Sequence, residues 1–159
     1  MSKSKERVLA REKEQGRIVG YTQAMEVQER SSNMTGTELN AVDDRIPRFA
    51  EAVKRMNMLD RHAGRDDGFV CKSSAGRVVR LIQNYNSDVF TSEPEELPAQ
   101  WGFVWSQDPA KALPFIALST SPYNTGDCCT EDGNIYRSKM DYNTHAPSAY
   151  PLGWDIVTA

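Results

Sequence analysis

The sequence predicts an α+β fold in which a helical or extended N-terminal arm precedes two small, related and mainly antiparallel β units. Three observations predict this. The second half of the chain contains one pattern twice, the first residues are charged and polar, and a stretch between them has helical spacing. The expected organisation is an arm and connector over 1–45, an amphipathic helix over 46–64, and β units over 66–105 and 112–159.

The arm and the helix come first along the chain. Residues 2–30 are rich in Lys, Glu, Arg and Gln, and their apolar residues are too sparse for a full amphipathic stripe. In the helix, Pro47 suits the first turn and Gly64 supplies the stop. Its apolar face packs either on the β units or on copies of itself. The predicted assembly interface comprises Val8, Leu9, Ile18, Val19, Tyr21, Met25, Phe49, Val53 and Met56.

The duplicated pattern extends through both β units. A cysteine, a glycine, an arginine, Tyr-Asn-Ser/Thr and Pro-x-x-Trp recur in the same order. The first copy comprises Cys71, Gly76, Arg80, Tyr85, Pro98 and Trp101, and the second Cys128, Gly133, Arg137, Tyr142, Pro151 and Trp154. An internal repeat constrains the fold directly, so each copy is expected to form one unit of short strands.

Short apolar segments separated by Gly, Pro, Asn and Asp predict the strands of these units. Ala75-Gly76 and Asp132-Gly133 predict hairpin turns, because glycine tolerates the positive φ that such turns need. The predicted strands are Phe69–Lys72, Val78–Asn84, Trp101–Trp105, Phe115–Leu118, Asp127–Thr130, Ile135–Lys139 and Trp154–Val157.

Charge and hydropathy exclude several classes of partner. The net charge is −3, made of +3 over residues 1–65 and −6 over 66–159. Because the aromatic-rich half is acidic, no nucleic acid is expected as a partner. No stretch approaches the ~18 apolar residues of a membrane span, so no membrane partner is expected. The charged N-terminus has no following apolar block, which predicts synthesis in a cytoplasm rather than secretion.

The second unit resembles a known family. It contains Tyr123-x-x-Gly126-Asp127, then Gly133-x-x-Tyr136, and finally Trp154 after a proline. This pattern is similar to small carbohydrate-binding modules of the chitin-binding type, and closely similar repeats occur in bacteriophage virion proteins. The resemblance implies a small β module, a sugar ligand and a virion accessory protein.

Such modules stack flat aromatic faces on sugar rings, and Tyr and Trp suit this because they combine an apolar body with a polar tip. The predicted carbohydrate-binding residues are Tyr136, Tyr142, Tyr150, Trp154, Tyr85, Trp101 and Trp105. The alternative is that the repeated tryptophans and tyrosines form the core of each small module. That alternative is favoured for the tryptophans of the Pro-x-x-Trp endings and stays open for Tyr142 and Tyr150.

The sequence contains few residues in patterns that are typical of catalytic sites. His62 and His145 are its histidines, and Cys128, Cys129 and His145 lack the usual zinc spacing. The carboxylates cluster in predicted loops and turns, which is typical of solvated surface. No cofactor, metal site or enzymatic activity is therefore expected.

Two functions remain. The first is a structural, non-catalytic virion protein, such as a capsid decoration, head fibre or tail accessory, anchored by its arm and displaying the β units. Its partners would be other copies of itself, other virion proteins and a glycan. The second is a stand-alone protein that recognises chitin-like or cell-surface glycans.

Overall fold

The computed structural model of the protein describes residues 23–55 and 58–157. This part confirms the predicted α+β class, with short helices before two mainly antiparallel sheets. The predicted interface residues that lie outside it are Val8, Leu9, Ile18, Val19, Tyr21 and Met56.

Three short helices form the N-terminal part of the fold. They are α1 (residues 23–30), α2 (Gly36–Ala41) and α3 (Phe49–Arg55). A capping box begins α2: the Thr35 hydroxyl accepts from the Glu38 N–H, and the Glu38 carboxylate accepts from the Thr35 N–H. Short 3-10 turns are Ser31–Asn33, Asp43–Arg45 and Met58–Asp60.

These helices belong to the body of the protein. An arm and connector without a core is therefore the wrong description of residues 23–45, because they cover one face of the first sheet. The buried cluster formed there comprises Val27, Leu39, Ile46, Val70 and Val78. The α3 helix is shorter than the predicted 46–64, and its Phe49 is buried edge-on against Trp101, with ring centroids 5.7 Å apart.

The first sheet is an antiparallel meander of β1 (Val70–Lys72), β2 (Val78–Leu81) and β3 (Trp101–Phe103). All four residues of β2 are buried, because this central strand has the helices on one face and the main core on the other. The one charged side chain of β2, Arg80, lies on the helix face of the sheet together with Val78.

The second sheet contains β4 (Leu113–Pro114), β5 (Cys128–Glu131), β6 (Asn134–Ser138) and β7 (Trp154–Val157). The pairs β5–β6 and β6–β7 are antiparallel, and β4 adds a short parallel pair to β5. The predicted strand over 115–118 is wrong. After the Phe115 N–H donates to the Thr130 carbonyl, the chain leaves the sheet and buries Leu118.

The duplicated sequence produces duplicated topology. In each unit the strands that contain the repeat form an antiparallel meander. Leu81 pairs with Trp101 in the first, and Ser138 pairs with Trp154 in the second. Alignment of the two copies matches Leu81 with Ser138 and Trp101 with Trp154. The two copies therefore also share the pairing register of these strands.

The two hairpin loops differ in length by one residue, which shifts the first strand of one copy by one residue relative to the other copy. The N–H of Ser73 donates to the Arg77 carbonyl and closes a three-residue loop in which Gly76 has φ +90°. The second hairpin has a two-residue loop, Asp132-Gly133, with φ values of +50° and +81°. Cys71 therefore corresponds in the sheet register to Cys129 rather than to Cys128, the cysteine that the sequence pattern aligns with it.

Candidate functional site

The structure divides the predicted carbohydrate-binding residues into buried and accessible ones. Tyr85 and Trp101 have no exposed surface, and Trp154 and Trp105 are 5% and 9% exposed. These side chains present no free face to a sugar ring. The prediction that they bind carbohydrate is therefore wrong, and the alternative that they form the core holds.

Aromatic packing shows why these positions are aromatic. Trp105 stacks on Tyr123 with centroids 4.3 Å apart and planes 10° apart, and Tyr123 meets Trp154 at 5.4 Å. The indole N–H of Trp105 donates to the Ser121 carbonyl and that of Trp154 to the His145 carbonyl. Rings from both units thus meet in one continuous core, and the indole nitrogens of Trp105 and Trp154 are satisfied by loop carbonyls.

Tyr142 is the accessible exception. Its side chain is 80% exposed and its φ is +55°, a conformation that costs a non-glycine residue ~1 kcal/mol or more. The Tyr142 N–H donates to Asn124 Oδ1 at 3.1 Å. An exposed aromatic ring held in an unfavourable backbone conformation is a feature that functional sites concentrate.

Asn143, the next residue, fixes this loop from inside. It is fully buried and exchanges both backbone hydrogen bonds with Tyr123, at 2.7 and 2.9 Å. Its side-chain amide donates to Ser138 Oγ and to the Gly153 carbonyl. The Asn143 side-chain oxygen also accepts from the His145 N–H at 3.2 Å. Because these five hydrogen bonds tie Asn143 to four residues, they fix the backbone next to Tyr142.

A cleft of about 810 Å³ lies beside Tyr142. It runs along the outer edge of β3 and is open to solvent, and it joins residues that are far apart in sequence. The polar and charged side chains that line it are Arg65, Asp66, Arg80, Gln83, Ser119, Thr120, Ser121, Asn124 and Tyr142. One stacking ring beside several hydrogen-bonding groups is the arrangement that a sugar ligand requires.

Sequence reasoning missed most of this cleft. Asn124 lies inside the stretch that carries the family resemblance and could have been noticed there. The Arg65–Asp66 turn and the Ser119–Ser121 loop have no distinguishing sequence feature, because only the tertiary structure brings them to β3. Of the predicted tyrosines, Tyr142 lines this cleft, whereas Tyr136 and Tyr150 do not.

Tyr136 and Tyr150 lie elsewhere on the second unit. Tyr136 is half-buried against the main core. Tyr150 is 40% exposed, and its ring lies 5.6 Å from that of His145. A Cβ added at Gly153 would lie 2.9 Å from the Tyr150 ring and 3.3 Å from the Met140 sulfur, so these two side chains close over the glycine.

The thiols of Cys71, Cys128 and Cys129 are free and buried. Burial raises the pKa of the Cys71 thiol well above its ordinary value and that of Cys129 to about 12. Burial also raises the pKa of Cys128, against the lowering effect of Arg137. Thiols that resist ionisation are poor nucleophiles and poor metal ligands. Within the described ranges no three His, Cys, Asp or Glu side chains gather into a possible metal site.

The described members of the predicted assembly interface are Met25, Phe49 and Val53. Phe49 is buried and Val53 packs against the same core, so the helix face is used within the chain. Met25 is 41% exposed and lines a second, smaller groove between α1 and the His62–Phe69 segment. Met25 alone of these three is accessible to a partner.

Comparison with known proteins adds no relative. No protein-family model, no curated protein and no solved structure matches this chain. Among the helices that the structure describes, none has the length and apolar character needed to cross a membrane.

Proposed function

We propose that this chain is a structural, non-catalytic accessory protein of a virion, and that its second β unit contacts a glycan at the cleft beside Tyr142. The observation that carries the glycan contact is the Tyr142 ring, 80% exposed in a left-handed backbone conformation. Its position at the edge of a polar cleft supports stacking on a sugar whose hydroxyls meet Ser119, Thr120 and Asn124.

The virion assignment is supported by the resemblance of the second unit to repeats of bacteriophage virion proteins. The shared core of the two β units supports a structural role, because its aromatic rings and buried thiols join both units in one hydrophobic cluster. In this proposal residues 1–22, which carry an excess of Lys and Arg, attach the subunit to the particle.

Paired tyrosine variants test the glycan contact. Isothermal titration with chitin and cell-wall oligosaccharides should show binding that Tyr142→Ala weakens about tenfold or more, as expected for loss of a central aromatic contact. Tyr150→Ala is the matched control, because Tyr150 is also exposed but lies outside the cleft. Equal affinity of wild type and Tyr142→Ala for every oligosaccharide would remove the glycan contact from the proposal.

Deletion of residues 1–22 tests the anchor. The deletion stops before residue 23 because α1 contributes Val27 to a buried cluster. We expect the shortened protein to remain folded and to keep its sugar binding, while it fails to enter particles. Unchanged incorporation would remove the anchor role of residues 1–22. A full-length protein that binds sugar but enters no particle would favour the second candidate, a stand-alone carbohydrate-binding protein, which the same Tyr142 geometry supports.

A further inference from the structure

Two arginines of the first unit are equally buried but differently paired. Arg77 is 8% exposed, and its guanidinium contacts Glu95 at 3.1 Å and the Pro114 carbonyl at 2.7 Å. Arg80 is 6% exposed and donates to the Ser31 carbonyl at 3.0 Å and to the Ser31 hydroxyl at 3.2 Å. Within the described ranges no carboxylate lies within ion-pair distance of Arg80.

An unpaired buried charge needs a physical reason, because buried charges are ordinarily matched by an opposite one. Burial lowers the pKa of Arg80, while the charges of Asp66 and Asp67 raise it. Both aspartates are exposed, and Asp67 is already bonded to His62 at 2.7 Å. These carboxylates therefore compensate Arg80 only from a distance and through solvent.

The duplicated strands place different residues opposite their arginines. Arg80 stands opposite Gly102 in the first unit, and its counterpart Arg137 stands opposite Asp155 in the second, where Asp155 forms an ion pair with Lys139 at 3.7 Å. Cross-strand partners point to the same face of a sheet. The first unit therefore has no carboxylate at this position, and a Cβ added at Gly102 would lie 3.3 Å from Ile82 Cγ2.

Arg80 and Gly102 both line the cleft beside Tyr142. Exposed Arg65 adds a second positive charge to this lining, and exposed Asp66 adds one negative charge. The surrounding half of the chain is acidic, with net charge −6 over residues 66–159. A local excess of arginine inside an acidic surface favours an anionic ligand in the cleft rather than on the surface around it.

We infer that the cleft binds an acidic glycan, with a sugar ring on Tyr142 and a sugar carboxylate beside Arg80. The inference rests on the proposed glycan contact and adds its chemical class. The sugar carboxylate would supply the opposite charge that, within the described ranges, no side chain brings within ion-pair distance of Arg80. Guanidinium–carboxylate hydrogen bonds are among the strong ones in proteins, so this contact would give the cleft its selectivity.

A matched pair of variants tests the inference on the full chain. Gly102→Asp places a carboxylate opposite Arg80, as in the second unit, and Gly102→Asn has the same shape without the charge. Isothermal titration uses an oligomer of galacturonic acid as the acidic probe and a chitin oligomer as the neutral one. We expect wild type to prefer the acidic oligomer about tenfold or more, as for a hydrogen bond to a charged group.

Gly102→Asp should abolish that preference, and Gly102→Asn should retain most of it. A salt titration of wild type gives a second reading that needs no variant: NaCl should weaken binding of the acidic oligomer and leave the neutral one unchanged. If both variants lost the preference for the acidic oligomer equally, or if salt did not weaken binding of that oligomer, the inference of an acidic ligand would be overturned.

The remaining outcomes separate the two proposals. Tight binding of the neutral oligomer alone would overturn the acidic class and leave the glycan contact standing. Binding of neither oligomer would overturn both. A polyglutamate peptide that binds wild type and Tyr142→Ala equally would assign the cleft to an acidic peptide and overturn the glycan ligand.

Discussion

The two β units have the same strand order and the same register, yet one tyrosine–asparagine pair is used in opposite ways. In the first unit Tyr85 is fully buried, and its hydroxyl donates to the Phe90 carbonyl. In the second unit Tyr142 is 80% exposed and Asn143 is fully buried. The same motif therefore supplies a core ring in one copy and a surface ring in the other.

The surroundings of each pair explain the reversal. Tyr85 fills space next to Trp101 and Phe90, at centroid distances of 5.4 Å to each. In the second unit the corresponding tryptophan, Trp154, is already packed against Tyr123. The space is occupied, so Tyr142 turns outward while Asn143 satisfies the loop backbone. The second copy of the motif therefore leaves the Tyr142 ring outside the core.

The largest expected effect concerns the core tryptophan that both units contain. Trp101→Ala and Trp154→Ala should each lower the free energy of unfolding by about 3–5 kcal/mol, because both indoles fill the shared core. Urea unfolding followed by circular dichroism measures this. Leu152→Ala is the control, since Leu152 is 78% exposed and should change stability by less than ~0.5 kcal/mol. A loss of under ~1 kcal/mol in either tryptophan variant would mean that the units are not equivalent in the core.

The next effect concerns the repeated tyrosine, which is buried in the first unit and exposed in the second. Tyr85→Gly should cost about 4 kcal/mol, because a large buried ring is lost. Tyr142→Gly should instead stabilise the protein by about 0.5 kcal/mol, since glycine adopts positive φ without strain but loses more entropy on folding. The same urea experiment gives both values. Destabilisation of more than ~1 kcal/mol by Tyr142→Gly would show that the exposed ring has a structural role.

The hairpins provide a smaller and nearly equal effect. Gly76→Ala and Gly133→Ala should each cost about 1 kcal/mol, because both glycines have positive φ. Steric contact adds little, since a Cβ at Gly133 meets nothing within 4 Å and one at Gly76 meets only Leu113, at 3.8 Å. Asparagine tolerates this conformation better, so the Asn variants should lose about half as much by thermal unfolding. Costs that differ by more than ~1 kcal/mol between the two alanine variants would contradict equivalent turns.

The smallest effect is a pH dependence confined to the second unit. Desolvation raises the pKa of Asp127 above its ordinary 3.8, Asn124 N–H opposes this, and Asp141 adds to it. The folded protein therefore favours the protonated carboxyl, and this contribution to stability is full below pH 3.8 and is lost as the pH rises through the raised pKa. Asp127→Asn has no carboxyl group to ionise and does not lose this contribution. The free energy of unfolding of the variant should therefore rise relative to that of wild type as the pH increases from acid to neutral.

Paired urea unfolding at several pH values measures that difference. Asp141→Asn is the control with the opposite sign, because hydrogen bonds from Thr125 lower the pKa of the exposed Asp141. Parallel stability curves for wild type and Asp127→Asn would contradict a perturbed Asp127.

Local sequence was sufficient for the hairpin turns and for most of the strands. The strand over 154–157 and the turns at Gly76 and Gly133 follow from alternation and from the backbone freedom of glycine, which are short-range properties. The strand predicted over 115–118 failed because a short apolar run fits a core loop as well as a strand. Residues 23–45 were misjudged because their few apolar side chains are scattered in sequence and meet only on the sheet.

The site was less predictable than the fold. Tyr142 was among the expected binding residues, but nothing in the sequence separated it from Tyr85, because the two motifs are nearly identical. Their difference lies in neighbours brought from other segments, such as Phe90 for Tyr85 and Tyr123 for the loop that bears Tyr142. The cleft depends on the same long-range placement.

The sequence by itself determined that this protein contains a duplicated β meander preceded by helical segments, because the repeat, the glycines and the strand alternation act over short distances. Only the tertiary structure decided which ring of each copy is buried, that both units share one core, and that Arg80 stands opposite Gly102 and lines the cleft beside Tyr142. Burial and charge pairing depend on contacts between distant segments, and such contacts exist only once the chain has folded.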